Sequence, residues 1–196
     1  MKTPFTIDKT KTAIVVIDLQ KGIASQETHP YPAKDVIEKT AQLLKVFRKN
    51  NMPVFLVRVS FGSDPRERLN LIADVTWSGG NRQMPSDWAE IVPEMSPETD
   101  AIIITKKQWG AFYGTELDLQ LRRRKIDTIV LCGIATHLGV ESTARFAYEY
   151  GYNQIFAEDA MSAMSKEEHE HTVNKILPRL GLVRSTEEIL EVLEKE

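Results

Sequence analysis

Six short apolar runs, spread along the whole chain, constrain the fold more than any other feature of the sequence. The first, Ala13–Ile17, holds five apolar residues in succession with no polar residue between them. Unbroken apolar character over so few residues is typical of strands that are buried on both faces, as in parallel sheets covered by helices. The other runs are Val54–Val59, Ala101–Thr105, Thr128–Gly133, Gln154–Ala157 and the weaker Leu182–Arg184.

Amphipathic segments separate these runs and predict helices over 34–50, 115–125, 140–150, 165–179 and 186–195. Three of them begin with the spacing of a capping box: Thr115 with Asp118, Ser165 with Glu168, and Ser185 with Glu188. Strands that alternate with helices form right-handed βαβ units. The chain is therefore predicted to be a single α/β domain over residues 1–196. Its expected architecture is Rossmann-like, with a doubly wound, mostly parallel six-stranded sheet and helices on both faces.

Segment 60–100 departs from this alternation, because it is rich in glycine and proline and too long for a simple connection. Long connections in compact domains tend to be functional. Two of its side chains, Trp77 and Trp88, either line a pocket or only pack the segment onto the domain. The sequence leaves both interpretations open.

Composition and charge argue against several classes of partner. The formal net charge is -3, and the densest basic cluster, Arg122–Lys125, lies late in a predicted helix, where it complements the helix dipole. We therefore expect no nucleic-acid partner. The single cysteine, Cys132, excludes an intrachain disulfide and a four-cysteine zinc site. The N-terminus lacks the apolar stretch of a signal peptide, and no apolar run approaches the ~18 residues of a membrane span. We expect a cytoplasmic protein with no membrane partner.

Candidate functional residues follow the predicted strands directly, where ligands bind in doubly wound sheets. Asp18 follows the first strand and Lys106 follows the third. A carboxylate after five apolar residues is expected to be partly desolvated, which raises its pKa. The alternatives are a structural aspartate that binds loop amides and an ordinary solvated lysine. After the fourth strand, a tight turn leads into a helix whose first amides suit an anion or an oxyanion.

These three segments resemble the isochorismatase-like hydrolase superfamily, which includes nicotinamidases, N-carbamoyl amide hydrolases and isochorismatases. The first family pattern is an apolar strand that ends in Asp-x-Gln, present as Asp18-Leu19-Gln20. The second is Lys-x-x-x-Ser-Ala-Phe, present from Lys106 to Phe112 with Gly110 in place of the serine. The third is Gly-Ile-Ala-Thr-x-x-Cys-Val-Glu-Ser-Thr-Ala, matched from Gly133 to Ala144 except at one position. The resemblance spans roughly residues 12–184.

The exception, Gly139, falls where most members carry the cysteine nucleophile of an Asp-Lys-Cys triad. Without a side chain at that position, the thioester route to amides is closed. Cys132 lies seven residues earlier in a predicted buried strand, where an inert thiol is expected. The resemblance implies another reaction, because true isochorismatases also carry glycine here, preceded by Ala-His-x. They hydrolyse a vinyl ether to pyruvate and a dihydroxy-dihydrobenzoate, with a general acid and no covalent intermediate.

The implied general acid is Asp18. An unperturbed carboxyl with a pKa near 3.9 is ionised at pH 7, and protonating it costs ~4 kcal/mol. A neighbouring Lys106 opposes protonation by about the same amount. We therefore expect Asp18 to be ionised in the free enzyme and to take up a proton with an anionic substrate, while Lys106 orients the acid or binds a substrate oxygen. The family also implies a cis peptide at Ile134–Ala135, which would aim the amides of Ala135 and Gly139 at the substrate.

The resemblance gives Asp18, Lys106 and the Gly139 position as the catalytic set. The expected substrate-binding residues are Gln20, Arg58, Trp109, Phe112, Ala135 and His137. Arg82 and Arg145 are further candidates for a substrate carboxylate or, for Arg145, an oligomer interface. No metal or other cofactor is expected, because residues 58–62 lack the Asp-x-His zinc motif of nicotinamidases. His169 and His171, two apart on a predicted helix, are expected to be solvated.

Three functions remain open from the sequence. The first is hydrolysis of a small anionic enol ether of the isochorismate type. The second is hydrolysis of amides or other acyl compounds by water that Asp18 and Lys106 activate. The third is a non-catalytic binding or assembly role after loss of the cysteine. The expected partner is a small-molecule substrate. Members of the family commonly form dimers or tetramers, so the resemblance implies a homodimer or homotetramer.

Overall fold

One sheet of parallel strands organises the protein. The computed structural model describes residues 3–75, 84–95 and 100–195. Within these ranges, six strands form the sheet in the order β3-β2-β1-β4-β5-β6. The strands are β1 Thr12–Ile17, β2 Val54–Val59, β3 Ile102–Lys106, β4 Thr128–Ile134, β5 Asn153–Ser162 and β6 Leu182–Arg184. The predicted doubly wound α/β fold is confirmed.

Helices cover both faces of this sheet. They are α1 Lys21–Ala24, α2 Ala33–Lys49, α3 Leu117–Arg123, α4 Glu141–Glu149, α5 Lys166–His171 and α6 Thr186–Lys195. Buried side chains of α2 and α6 form one core with one face of the sheet, and those of α3 and α4 form a second core with the opposite face. The two layers explain why the strands read as unbroken apolar runs.

Strand β1 shows this double burial most clearly. Ile14 and Val16 belong to the core under α2, whereas Val15 and Ile17 belong to the core under α3 and α4. Because successive side chains of a strand point to opposite faces, each residue of β1 faces a helical layer. Burying these side chains stabilises the fold by roughly 1.5–3 kcal/mol for each large aliphatic residue.

The point where the strand order reverses lies between β1 and β4. The chain adds β2 and β3 on one side of β1, then crosses back to place β4 on its other side. Ligands bind at the carboxyl ends of strands beside such a switch point. Asp18 follows β1 directly, and the turn of the third sequence motif follows β4, so both lie at this edge.

Two predicted elements differ from the observed ones. The segment expected as one helix over 165–179 is α-helical only from Lys166 to His171, continues as a π-helical stretch Thr172–Ile176, and ends in a 3₁₀ turn Leu177–Arg179. Pro178 lacks an amide hydrogen and clashes with the preceding turn, so a regular helix cannot run through it. Strand β5 extends five residues beyond its predicted end, past a register shift opposite β4.

The long segment between β2 and β3 is held against α1. Trp88 packs on Gly22 so closely that any Cβ there would lie 1.9 Å from the Trp88 Cδ1 atom. The Gly22 amide donates to the Trp88 carbonyl at 2.9 Å. These contacts favour the packing role for Trp88. Trp77 and Arg82 lie outside the described residues.

No helix in the described ranges is both long enough and apolar enough to cross a membrane.

The capping box of α6 gives a stability test. The Ser185 hydroxyl accepts from the Glu188 amide at 3.1 Å, and the Glu188 carboxylate accepts from the Ser185 amide at 2.8 Å. Replacing Ser185 by alanine removes one of these bonds. We expect Ser185→Ala to lower the free energy of unfolding by ~1 kcal/mol in urea denaturation. Ser63→Ala, at an exposed position outside helices and strands, is the matched control. An equal loss in both variants would contradict the capping role.

Candidate active site

Asp18 occupies the first position after β1, in a backbone conformation that turns the chain sharply. Its φ is 51°, in the left-handed region that aspartate tolerates better than most residues. Its amide donates to the Val57 carbonyl of β2 at 3.0 Å, which ties the turn to the sheet. The side chain is buried, with 8% of its surface exposed. The sequence prediction of a desolvated carboxyl at this edge agrees with this placement.

Lys106 ends β3 and reaches past the end of β2 to meet this carboxyl. Its Nζ lies 2.7 Å from Oδ2 of Asp18, and its side chain is 1% exposed. The same Nζ donates to the carbonyl oxygen of Trp109, three residues later. A lysine at a strand end is usually solvated, so near-complete burial in an ion pair sets Lys106 apart from the ordinary case.

Burial dominates the electrostatics of the pair. It raises the pKa of Asp18, because removal from water disfavours the ionised form, and the charge of Lys106 only partly opposes this. The two carboxylate oxygens are unequal. Oδ2 binds Lys106, whereas Oδ1 is buried with no hydrogen-bond partner in the part of the chain that the structure describes. Oδ1 is therefore the oxygen on which a proton would reside.

Gly139 faces the ion pair. A Cβ at this position would lie 3.2 Å from Oδ2 of Asp18, 3.3 Å from Nζ of Lys106 and 2.9 Å from the Cγ2 methyl of Ile17. The three family motifs thus meet at one point, at the edge of the sheet where the strands that precede them end. The position that carries the cysteine in most members holds no side chain here, and the space beside it is closely packed.

Cys132 lies on the other side of the sheet. Its side chain belongs to the core under α2, and its nearest polar partner is the Thr40 hydroxyl at 3.9 Å. Complete burial raises the pKa of the Cys132 thiol to about 12. A thiol that is neutral and enclosed in the opposite core cannot act as a nucleophile at the Asp18–Lys106 pair.

The turn after β4 brings the third motif to the site. The Ile134–Ala135 peptide bond is cis, and a π-helical turn over Thr136–Val140 follows it. The Ala135 carbonyl accepts from the amides of Leu138 and Val140, both at 3.2 Å. These bonds close the turn and fix Gly139 against the ion pair.

His169 supports this turn, and the expectation that it is solvated is wrong. It is 3% exposed, and its Nδ1 lies 2.9 Å from the buried Thr136 hydroxyl. The Tyr31 ring meets its ring edge-on at 5.8 Å. Burial lowers the pKa of His169 to about 4, so it is neutral at pH 7. One sequence signal points to burial: Ser165 caps α5, and the fourth helical position, here His169, often packs inward.

His137 precedes Gly139 by two residues, and its ring turns toward α5. Its Nε2 lies 3.4 Å from the Glu168 carboxylate, and its Nδ1 is buried without a partner among the described residues. Burial lowers the pKa of His137, and the charges of Glu168 and Glu141 partly oppose this. His137 thus belongs to the turn that carries Gly139, but its ion pair is with Glu168 of α5 and not with Asp18 or Lys106.

Gln20 and Arg58, both expected to bind substrate, make contacts within the protein. The fully buried Gln20 amide accepts from the Val59 amide at 2.8 Å and donates to the carbonyls of Val59 and Trp88. It therefore joins β2 to the long segment. Arg58 donates to the Thr105 hydroxyl at 3.1 Å. Thr105 precedes Lys106, and neighbouring strand residues point to opposite faces, so the structure separates Arg58 from the ion pair.

The two aromatic residues of the second motif, Trp109 and Phe112, lie in different environments. Trp109 contributes its carbonyl to Lys106, while the residue as a whole is 63% exposed. Phe112 is buried in the core under α3 and α4, where it stacks on Tyr152 at 5.7 Å. Core packing accounts for Phe112. Arg145 pairs with Glu141 one turn earlier on the surface of α4.

The site is an acid and a cation, and among the described residues Lys106 is the charged group that acts on Asp18. In the described ranges, no group of three or more histidine, cysteine, aspartate or glutamate residues is arranged to hold a metal ion. The ammonium of Lys106 already occupies the position beside Asp18 where a cation would bind. The arrangement suits proton transfer from a desolvated carboxyl.

Comparison with known proteins agrees with this geometry. Residues 12–188 match the family model of the isochorismatase domain. The chain is 51% identical to the isochorismatase family protein YwoC of Bacillus subtilis over 97% of this chain and 98% of that protein. It is 26% identical to a probable isochorismatase of Pseudomonas chlororaphis, with 95% and 88% covered. An isochorismatase family protein from Burkholderia thailandensis superimposes with a TM-score of 0.91 at 39% identity, covering 97% of this chain and all of that one. The chain belongs to the isochorismatase family of hydrolases.

Proposed function

We propose that the protein hydrolyses a small anionic enol ether of the isochorismate type, with Asp18 as general acid and without a covalent intermediate. The observation that carries this proposal is the composition of the site. A buried carboxyl and a buried ammonium meet at 2.7 Å, and the residue that faces them is glycine. Such a site can transfer a proton, but it offers no sulfur to form a thioester.

The proposed reaction begins with protonation. Asp18 donates the proton on Oδ1 to the methylene carbon of the enol ether, which leaves an oxocarbenium ion and a carboxylate. Water then adds to the cationic carbon, and Asp18 takes up the proton that this water loses. The resulting hemiketal breaks the bond between its central carbon and the ether oxygen, and its hydroxyl proton passes to that oxygen, which gives a ketone and an alcohol. One water is consumed, and Asp18 returns to its starting state.

Lys106 holds the acid in position. Because its Nζ binds Oδ2 and the Trp109 carbonyl, the carboxyl cannot rotate freely and Oδ1 keeps one direction. A substrate with two carboxylates adds negative charge near the pair. That charge favours protonated Asp18, so binding and proton uptake are coupled in this proposal.

Two physical arguments favour this function over the alternatives. A scaffold protein gains little from a buried ion pair, since desolvating two charges costs about as much as their attraction returns. Hydrolysis of amides without a nucleophile would require a general base, whereas burial raises the pKa of Asp18 and favours its acid form. The similarity to a probable isochorismatase of Pseudomonas chlororaphis supports the same choice.

The first test is a substrate panel of isochorismate, nicotinamide and a small carbamoyl amide. We expect turnover of isochorismate, with pyruvate formation as the readout. Asp18→Asn keeps the shape of the side chain but removes the acid, and should lower kcat by ~10²–10⁴. Cys132→Ala, in the opposite core, is the matched control and should leave kcat unchanged. Turnover of amides alone, or loss of activity in Cys132→Ala, would contradict the proposal.

The second test is the pH dependence of kcat/KM. An acid catalyst must be protonated, so the rate should fall about tenfold for each pH unit above the pKa of Asp18 in the free enzyme. Lys106 lowers that pKa. In Lys106→Met, the residual activity should therefore begin to fall at a higher pH than in the wild type. A rate that instead rises with pH through this range, with the rising limb moved to higher pH in Lys106→Met, would show that Asp18 acts as a base.

The third test uses the crowding at Gly139. Gly139→Ala adds one methyl group that would press on Ile17, Asp18 and Lys106. We expect kcat to fall about 100-fold, the scale of a misplaced catalytic group. The control is Gly62→Ala, in an exposed segment where φ is not left-handed. Full activity of Gly139→Ala, with an unchanged circular dichroism spectrum, would show that the pair tolerates a side chain at this position.

A further inference from the structure

Thr143 connects two of the three motifs through a single hydroxyl group. It lies in the first turn of α4 and is fully buried. Its Oγ1 donates to the Gly139 carbonyl at 2.6 Å and accepts from the Ala111 amide at 3.0 Å. A hydroxyl has one proton to donate, so the Gly139 bond uses its donor and the Ala111 bond uses an acceptor lone pair.

The two partners of Thr143 belong to the segments that build the site. Gly139 lies in the turn after β4 and faces the ion pair. Ala111 lies two residues after Trp109, whose carbonyl binds Lys106. The Thr143 hydroxyl therefore links the segment that holds Lys106 to the residue that faces it.

Close packing at Gly110 supports this link. A Cβ at Gly110 would lie 3.3 Å from the Phe146 ring and 3.6 Å from Cβ of Ser142, so the Lys106 segment lies directly against α4. Gly110 itself is buried. Because the two segments touch along this line, a change in the Thr143 contact would move both of them.

We propose that Thr143 is a positioning residue of the active site, which fixes the separation between Gly139 and the Lys106 segment. This inference rests on the proposed function for its kinetic consequence. The two hydrogen bonds of Thr143 join it to Gly139 and Ala111 and not to the ion pair, so it acts through these partners. Without the hydroxyl, the Ala111 amide loses its hydrogen bond to Thr143, the Gly139 carbonyl loses the one it accepts from Thr143, and the two segments are no longer tied together.

The experiment compares Thr143→Val, which keeps the shape of threonine without its hydroxyl, with Thr143→Ser, which keeps the hydroxyl. Thr40→Val is the matched control, because Thr40 is equally buried and its hydroxyl donates to the Cys132 sulfur in the opposite core, at 3.9 Å. With isochorismate as substrate, Thr143→Val should lower kcat at least about tenfold with little change in KM. Thr143→Ser and Thr40→Val should keep the wild-type kcat.

A second measurement does not need turnover. The carboxyl carbon of Asp18, assigned by its absence in Asp18→Asn, is titrated by ¹³C NMR in each protein without substrate. Lys106 is the charged group that acts on Asp18 among the described residues. If Thr143→Val moves Lys106 away, Asp18 should titrate at a higher pH than in the wild type. Thr143→Ser and Thr40→Val should match the wild type.

The outcomes separate the two proposals. If the wild type does not hydrolyse isochorismate, the proposed function is wrong, and the Asp18 titration alone decides the role of Thr143. The role is overturned if Thr143→Val titrates like the wild type, or if Thr143→Ser is as impaired as Thr143→Val. Should Thr143→Val fail to fold, Thr143→Ser and Thr143→Ala differ only in the hydroxyl and give the same comparison.

Discussion

The buried contact between Asp18 and Lys106 is the interaction on which the rest of the site depends. Two charges that leave water lose hydration worth several kcal/mol each, and their attraction returns this only when the geometry is well held. Each neighbouring feature of the carboxyl edge serves that geometry. The left-handed turn directs Asp18, the end of β3 directs Lys106, and the Trp109 carbonyl fixes the ammonium.

The doubly wound sheet makes this contact possible because parallel strands end at one edge. Asp18 and Lys106 are 88 positions apart in sequence, yet each directly follows or ends a strand of the same sheet. The crossing from β3 to β4 then brings the turn at Gly139 to the same place. The fold thus brings Asp18, Lys106 and Gly139 together, and the identity of these three residues determines the chemistry of the site.

Much of this could be predicted from the sequence, because strands that are buried on both faces appear in it as unbroken apolar runs. The unbroken apolar run before Asp18 indicated both the strand and the desolvation of the carboxyl that follows. Strand periodicity also placed Lys106 at the end of the third strand, whereas the importance of the Gly139 position came from the resemblance to the family. The sequence pattern could not predict tertiary contacts. Whether Arg58 shares a face with Lys106 depends on register, whether Gln20 binds ligand or backbone depends on the long segment, and the burial of His169 depends on how α5 lies against the turn.

The crowding around Gly139 also bears on how the two chemistries of the family are related. A Cβ at this position would lie within 3.3 Å of atoms of Ile17, Asp18 and Lys106. A cysteine there would therefore require at least Ile17 and the charged pair to shift. A change from glycine to cysteine at this position therefore involves its neighbours as well, and the substitution without those shifts would strain the ion pair.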